Sequence, residues 1–265
     1  MRNIIKADFY KLKNSKPFWI CLALSLLFGI IIMVGLQQAM VMAQQPRHDP
    51  DLDALLDMIP HASGAYLLSS SMSYGFHIIF IGVFVAVFIS SEFSFGTMKN
   101  TLSRGAGRIK VFFSKFLVCS AAALTMLFGF ILTSLLTGSI LWGFDPHGIV
   151  TASGMISMLL MQALLTVAFT ALFTFVSMTM RSNGGAIAVN IMCVTMASTL
   201  LGAISMLLFG GRFDLSHYWI GGAISKLATV TPVSGDITQG IFIALIWGIA
   251  SMIFGTTLFK KLDVK

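Results

Sequence analysis

Long apolar stretches alternate along this sequence with short segments that hold nearly all of its charge. Six stretches exceed the roughly 18 residues that indicate a membrane-spanning helix. The predicted spans are 17–43, 66–91, 114–142, 151–180, 186–209 and 236–259. Helices are favoured because backbone in hydrocarbon must satisfy its own hydrogen bonds, and the alternating pattern of a membrane barrel is missing. The pattern predicts an all-α polytopic membrane protein with six transmembrane helices in one domain, 1–265.

Two of the charged segments have a helical pattern of their own. Residues 1–16 predict an N-terminal amphipathic interfacial helix, since Ile5, Phe9 and Leu12 recur at helical spacing among lysines. Residues 92–113 predict a short cytoplasmic helix that ends in a glycine-rich break. The apolar face of this second helix comprises Phe95, Met98 and Leu102.

Two longer segments lie on the side of the membrane opposite to residues 1–16 and 92–113, and their patterns are less specific. Residues 210–235 are rich in glycine and low in charge, which predicts an extracellular or re-entrant segment, with Trp219 as a candidate interfacial anchor. The acidic loop 44–65 resembles a calcium loop only superficially. Ala54 stands where the sharp turn needs glycine, and Pro60 stands where the bidentate glutamate belongs. No metal site is predicted.

Composition and charge sharpen this picture. The chain is 57% hydrophobic and 10% charged, whereas soluble domains are about 25% charged. With a cytoplasmic N-terminus, the cytoplasmic segments hold fourteen basic residues against three acids, and the external segments hold three against seven. The positive-inside rule therefore predicts a multi-pass protein of the cytoplasmic (cell) membrane with both termini cytoplasmic. Topology accounts for the basic excess, so no nucleic acid partner is expected.

Several kinds of chemistry are missing from the sequence. No charged residue lies near the middle of a predicted span, which disfavours ion-coupled carriers and proton relays. The zinc pair H-E-x-x-H, the nucleophile elbow G-x-S-x-G and the phosphate-binding loop G-x-x-x-x-G-K-[ST] are all absent. We therefore expect no catalytic residues and no cofactor in this chain. A transporter that lacks both coupling charges and a nucleotide site would need an external source of energy. A partner ATPase on the cytoplasmic side would supply it.

Two stretches resemble the ABC-2-type permeases of ABC exporters. The opening Lys6–Leu12, followed by Ser15–Ile20, looks like the start of that family. The stretch Glu92–Leu102, with Arg108 and Lys115 after it, is similar to the family segment that follows the second span, usually E-x-x-x-G-T, a turn, Arg and Lys. The glycine-rich turn at 105–107 departs from relatives, in which proline is frequent.

The resemblance implies a transmembrane permease subunit whose interfacial helix is followed by a coupling helix over residues 92–104. It implies a complex with two ATPase subunits, which bind ATP and Mg, and with a second permease, identical or related, in membrane lipid. Glu92 and Arg108 would orient the coupling helix, although Glu92 could instead cap the next helix. The residues implied to couple to the ATPase are Glu92, Phe95, Gly96, Thr97, Met98, Lys99, Leu102, Arg104 and Arg108.

The expected substrate is amphipathic or hydrophobic. The chain has 17 Met and 23 Phe, and such side chains form adaptable apolar surfaces, although they are also ordinary in membrane helices. With a pathway lined by spans 1, 2 and 5, the resemblance favours peptide export, including antimicrobial-peptide export or immunity, ahead of hydrophobic drugs or lipids. The alternative is an ATP-independent membrane scaffold or sensor that docks a cytoplasmic partner through the same basic surface.

Overall fold

The computed structural model describes residues 2–43, 63–73, 75–103, 105, 107–145, 150–210 and 214–261. Within these ranges every regular element is a helix. The helices are α1 Arg2–Lys13, α2 Lys16–Ala43, α3 Gly64–Ser73, α4 Phe76–Ser94, α5 Thr97–Ser103, α6 Arg108–Trp142, α7 Ala152–Met180, α8 Asn183–Thr195, α9 Ala197–Phe209, α10 Ile220–Leu227 and α11 Ser234–Lys261, with a 3-10 turn at Leu215–Tyr218. The acidic loop 44–62 lies outside the described residues.

Five of these helices are long and apolar enough to cross a membrane: α2, α4, α6, α7 and α11. Helices α8 and α9 meet at Met196 with a bend of 53°, and they form a sixth span when they are counted as one. The prediction of an all-α polytopic membrane protein is therefore confirmed, with five or six spans rather than a fixed six.

The second predicted span, 66–91, is divided between α3 and α4. Gly75 lies in the break with φ +65°, a conformation that glycine adopts at little cost. Helix α3 begins beside the C-terminal end of α6, where the Gly64 N–H donates to the Gly143 carbonyl at 2.9 Å. A Cβ atom on Gly64 would lie 2.9 Å from the Ser139 nitrogen, so this contact requires glycine. Hydropathy does not reveal the break because both pieces are apolar.

Charged residues mark one end of the helix bundle. Helices α1 and α5, the N-terminus of α6 and the C-terminus of α11 lie there, and we call it the basic end. The Arg108 side chain of α6 bonds to backbone carbonyls at the end of α11. The opposite, distal end holds the pair of Lys226 and Asp236, whose side chains are 2.7 Å apart.

Within the described residues 214–235, α10 packs back onto the bundle. Four apolar side chains of α10 are buried: Ile220, Ala223, Ile224 and Leu227. The Gln162 Nε2 of α7 donates to the Ile224 carbonyl at 2.9 Å. Trp219 is 6% exposed and packs edge-to-face against Trp247, with ring centroids 4.7 Å apart. It is therefore a core residue and not the interfacial anchor that the sequence suggested, because it directly precedes α10, whose apolar face packs into the core.

Candidate functional site

Four charged side chains meet at the basic end, on three helices. The Lys115 ammonium of α6 bonds to Asp8 of α1, and it donates to Glu92 Oε1 of α4 at 2.5 Å. Lys11 Nζ of α1 donates to the same Glu92 oxygen at 2.6 Å. The Ser114 hydroxyl donates to Asp8 Oδ2 at 2.6 Å. We call Asp8, Lys11, Glu92 and Lys115 the charge cluster.

Three members of the charge cluster are buried, whereas the Lys11 side chain is 40% exposed, and the cluster is electrically balanced. Lys115, Glu92 and Asp8 are 3%, 6% and 7% exposed, and the two formal positive charges match the two negative charges. Removing ions from water is costly, and mutual attraction offsets that cost only where each ion keeps its partners. The Phe88 ring adds a contact with both cations, at 5.0 Å from Lys11 Nζ and 5.5 Å from Lys115 Nζ. The cluster therefore fixes α1, α4 and α6 to one another.

Helix α1 docks on the bundle through one face. Asp8 and Leu12 are buried on that face, and Ile5 is half-buried. Phe9 is 43% exposed and faces away from the core. The Trp19 indole donates to the Lys13 carbonyl at 2.8 Å, which fixes the turn between α1 and α2. The predicted amphipathic helix thus presents a polar anchor, Asp8, on the face that packs against α6.

Helix α5 follows α4 after a tight turn. Gly96 has φ +67° in this turn, and the Thr97 hydroxyl donates to the Glu92 carbonyl at 3.2 Å. Met98 is fully buried, whereas Phe95 is 81% exposed. The sequence placed these two side chains on one apolar face. The structure separates them because Phe95 lies in the turn, before the helical register begins.

Lys99 and Leu102, two further predicted coupling residues, lie on α5. Lys99 is exposed, and Leu102 is half-buried against the core that contains Met98. Arg104 lies outside the described residues. The carboxylate of Glu92 bonds to lysines of α1 and α6, so its position links the start of the predicted coupling segment to both helices.

Arg108 connects the first turn of α6 to the last turn of α11. Its Nη1 donates to the carbonyl oxygens of Phe259, at 3.1 Å, and Lys260, at 2.9 Å. Carbonyls in the last turn of a helix lack intrahelical partners, and a basic side chain at that end also opposes the helix dipole. Arg108 therefore caps α11.

We expect Arg108→Met to loosen the end of α11. Losing a charged cap at a partly exposed site should cost about 1 kcal/mol. Amide hydrogen exchange in the last turn of α11 should therefore become about fivefold faster. Lys6→Met, which alters an exposed residue of α1 at the same end of the bundle, is the control. Equal exchange in the two variants would contradict the capping role.

A second feature lies where the two helix breaks meet. A cavity of about 170 Å³ opens between the α3–α4 break, the α8–α9 break and α10. Phe169 of α7 forms one wall. At about 1.5 Å per residue, Phe169 lies roughly 17 Å along α7 from its end at the basic end, a depth within the ~30 Å hydrocarbon core. Four hydroxyl-bearing residues line the cavity: Ser73, Thr195, Ser198 and Ser225.

The sequence did not single out the charge cluster as a site. Asp8 and Lys115 were noted within the family-like stretches but were not assigned a role. A signal was nevertheless present, since the predicted cytoplasmic segments contain three acids, Asp8, Glu92 and Asp263. Two of those three acids bind the same lysine. Among the described residues, no group of three metal-binding side chains is placed to hold an ion.

Comparison with protein families identifies one match over most of the chain. The family model described as "Protein of unknown function (DUF2705)" matches residues 24–265. This chain belongs to the DUF2705 family. The matched part of this DUF2705 protein includes Glu92, Lys115 and the two helix breaks, while α1 with Asp8 precedes it. A search of curated proteins found no match.

Proposed function

We propose that this DUF2705 protein is the permease subunit of an ATP-driven ABC exporter that moves an amphipathic or hydrophobic substrate across the cytoplasmic membrane. ATP would be hydrolysed, with Mg, in a separate cytoplasmic ATPase present in two copies. A second permease, identical or related, would complete the pathway. The chain itself supplies helices, a docking surface and substrate contacts.

The observation that carries this proposal is the connection between α5 and the charge cluster. Phe95 is an aromatic side chain that is 81% exposed at the basic end, and buried aromatic anchors dominate many protein interfaces. It lies three residues after Glu92, whose carboxylate bonds to Lys11 and Lys115. A force applied to α5 would therefore reach α1, α4 and α6 together, as coupling to a motor subunit requires.

The cavity at the helix breaks supports a transport role. Polar groups are costly in hydrocarbon, and interrupted membrane helices are tolerated where they line a cavity or pathway. Spans 2 and 5, which were expected to line the pathway, contain the two breaks. The cavity also has apolar walls, which include Ile78, Phe169 and Ile224. Hydroxyls beside apolar side chains suit an amphipathic molecule, for which peptides are the first candidates.

The orientation follows from the same charges. A cytoplasmic basic end agrees with the positive-inside rule and presents α5 to an ATPase. The distal end, with Asp145, Asp214 and Asp236, would then be external. The uncharged interiors of the spans favour an external energy source over ion coupling.

Copurification tests the proposal directly. The full-length protein, extracted from its native membrane in mild detergent, should retain a subunit whose sequence contains a phosphate-binding loop. ATP hydrolysis by that complex should require Mg and should fall at least about tenfold when residues 95–102 are replaced by a Gly-Ser segment of equal length. A control replacement should use Phe144, which is 46% exposed at the distal end.

The outcomes separate the two candidate functions. A stable partner without a nucleotide site would favour the membrane scaffold or sensor and would overturn the exporter proposal. Hydrolysis that is unchanged by the replacement of residues 95–102 would also overturn it.

A further inference from the structure

A long apolar groove lies on the side of the bundle away from the helix breaks. It runs between α6, α7 and α11 and has a volume of about 410 Å³. Of its lining side chains only Thr256 is polar, and the Thr256 hydroxyl is already bonded to the Met252 carbonyl at 2.8 Å. The groove therefore suits an apolar ligand, because its one polar lining side chain already has a hydrogen-bond partner.

Small residues create the groove. On its floor, Ala168 and Ala171 of α7 face Gly248 of α11. A Cβ atom on Gly248 would be no closer than 4.0 Å to Ala168, so the position has free space. Larger side chains form the rims, and Ile249 and Ile253 on α11 are 55% and 56% exposed. The groove thus opens sideways to the surrounding lipid.

The dimensions match one leaflet of a bilayer. The groove follows α11 from Ala244 to Thr256, and at a rise of about 1.5 Å per residue this distance is about 18 Å. Half of a hydrocarbon core is about 15 Å. The groove also runs along a membrane-spanning helix and ends near the basic end. A lipid whose headgroup lies at the membrane surface there would place its acyl chain along the same path.

Two lysines lie where the groove reaches the basic end. Lys110 is three residues before the lining residue Phe113 on α6, and Lys260 is four residues after Thr256 on α11, so each shares a helix face with the groove. Both lysines are exposed. The bond from Arg108 to the Lys260 carbonyl, at 2.9 Å, holds the two helix ends together.

We propose that this groove binds an anionic phospholipid, with one acyl chain along α11 and the headgroup phosphate between Lys110 and Lys260. An acyl chain gains little free energy when it moves from the bilayer into the groove, because the surrounding lipid is as apolar as the groove. Selectivity therefore comes from the headgroup, which basic residues at the interface attract. A second copy of the chain fits less well, since a two-fold contact over this face would bring equivalent lysines together.

Native mass spectrometry of the purified full-length protein tests this inference. Phosphatidylglycerol should bind at least about tenfold more tightly than phosphatidylcholine with the same acyl chains, since each lysine adds several-fold. Lys110→Gln with Lys260→Gln should reduce that preference to near one, whereas Lys6→Gln, at an exposed residue of α1 outside the groove, should preserve it. Equal binding of the two lipids by the unmodified protein would overturn the proposal.

A second pair of variants tests the groove itself. Gly248→Leu should fill it and weaken phosphatidylglycerol binding about tenfold, because the added side chain occupies the path of the tail. Gly202→Leu is the matched control, since a Cβ atom there meets nothing within 4 Å. If Gly248→Leu folds poorly, Gly248→Val can be measured in its place. The valine variant should show a smaller loss of phosphatidylglycerol binding, because its side chain is smaller.

Two results would overturn the assignment of the groove. One is equal lipid binding by the variants at Gly248 and Gly202. The other is a loss of self-association in Gly248→Leu with lipid binding intact, which would identify a second copy of the chain as the occupant. Both measurements are independent of any ATPase, so a failure here is distinguishable from a failure of the exporter proposal.

Discussion

Replacing Lys115 with methionine is expected to destabilise the protein by about 3–5 kcal/mol. The substitution leaves Asp8 and Glu92, which are 7% and 6% exposed, without the cation that they share. Lys11 would still bond to Glu92, whereas Asp8 would keep only the Ser114 hydroxyl among the bonds described above. Thermal unfolding in detergent, followed by circular dichroism, should show a large fall in melting temperature.

The control for this experiment is Lys6→Met, which removes the same charge from an exposed position of α1 and should change stability by no more than about 0.5 kcal/mol. A further variant, Asp8→Asn combined with Glu92→Gln and Lys115→Met, should recover part of the loss, because it leaves no buried unpaired ion. Equal melting temperatures for the two single lysine variants would contradict the role of the charge cluster.

Replacing Phe95 with alanine is expected to weaken the binding of the proposed ATPase about 30-fold. An aromatic anchor at an interface contributes about 2 kcal/mol, and every 1.4 kcal/mol is a factor of about ten. Because Phe95 is 81% exposed in the isolated chain, the melting temperature should remain almost unchanged. Titration of the purified ATPase against the permease in nanodiscs measures the affinity.

Tyr10→Ala provides the matched comparison, since Tyr10 is 75% exposed on α1 at the same end of the molecule. Its loss should have a much smaller effect on ATPase affinity. A result in which Tyr10→Ala weakens binding and Phe95→Ala does not would move the docking surface from α5 to α1. That result would contradict the assignment of α5 as the coupling helix.

The two experiments examine different parts of one mechanical connection. Phe95 would receive the motion of a partner, and the charge cluster would pass that motion to three helices. A variant of Lys115 should therefore alter folding, whereas a variant of Phe95 should alter binding alone. This difference separates a residue that holds the bundle together from a residue that contacts a partner.

The sequence predicted the bounds of some helices more accurately than those of others. The spans at 17–43 and 151–180 agree closely with α2 and α7, since uninterrupted hydropathy is enough to define them. The break near Gly75 was missed because both α3 and α4 are apolar. The position of Phe95 was also missed, since helical spacing applies only after the helix begins, and here it begins at Thr97.

The sequence by itself determined which stretches are apolar enough to enter a bilayer and which of the segments between them hold the charge. These properties depend on local composition, which neighbouring residues alone decide. Tertiary structure decided which charges meet. Asp8 and Lys115 are 107 positions apart, and they become partners only because α1 packs across the first turns of α6. The groove beside Gly248 likewise exists only because small residues of α7 and α11 face each other, a relation between helices that no single stretch of sequence contains.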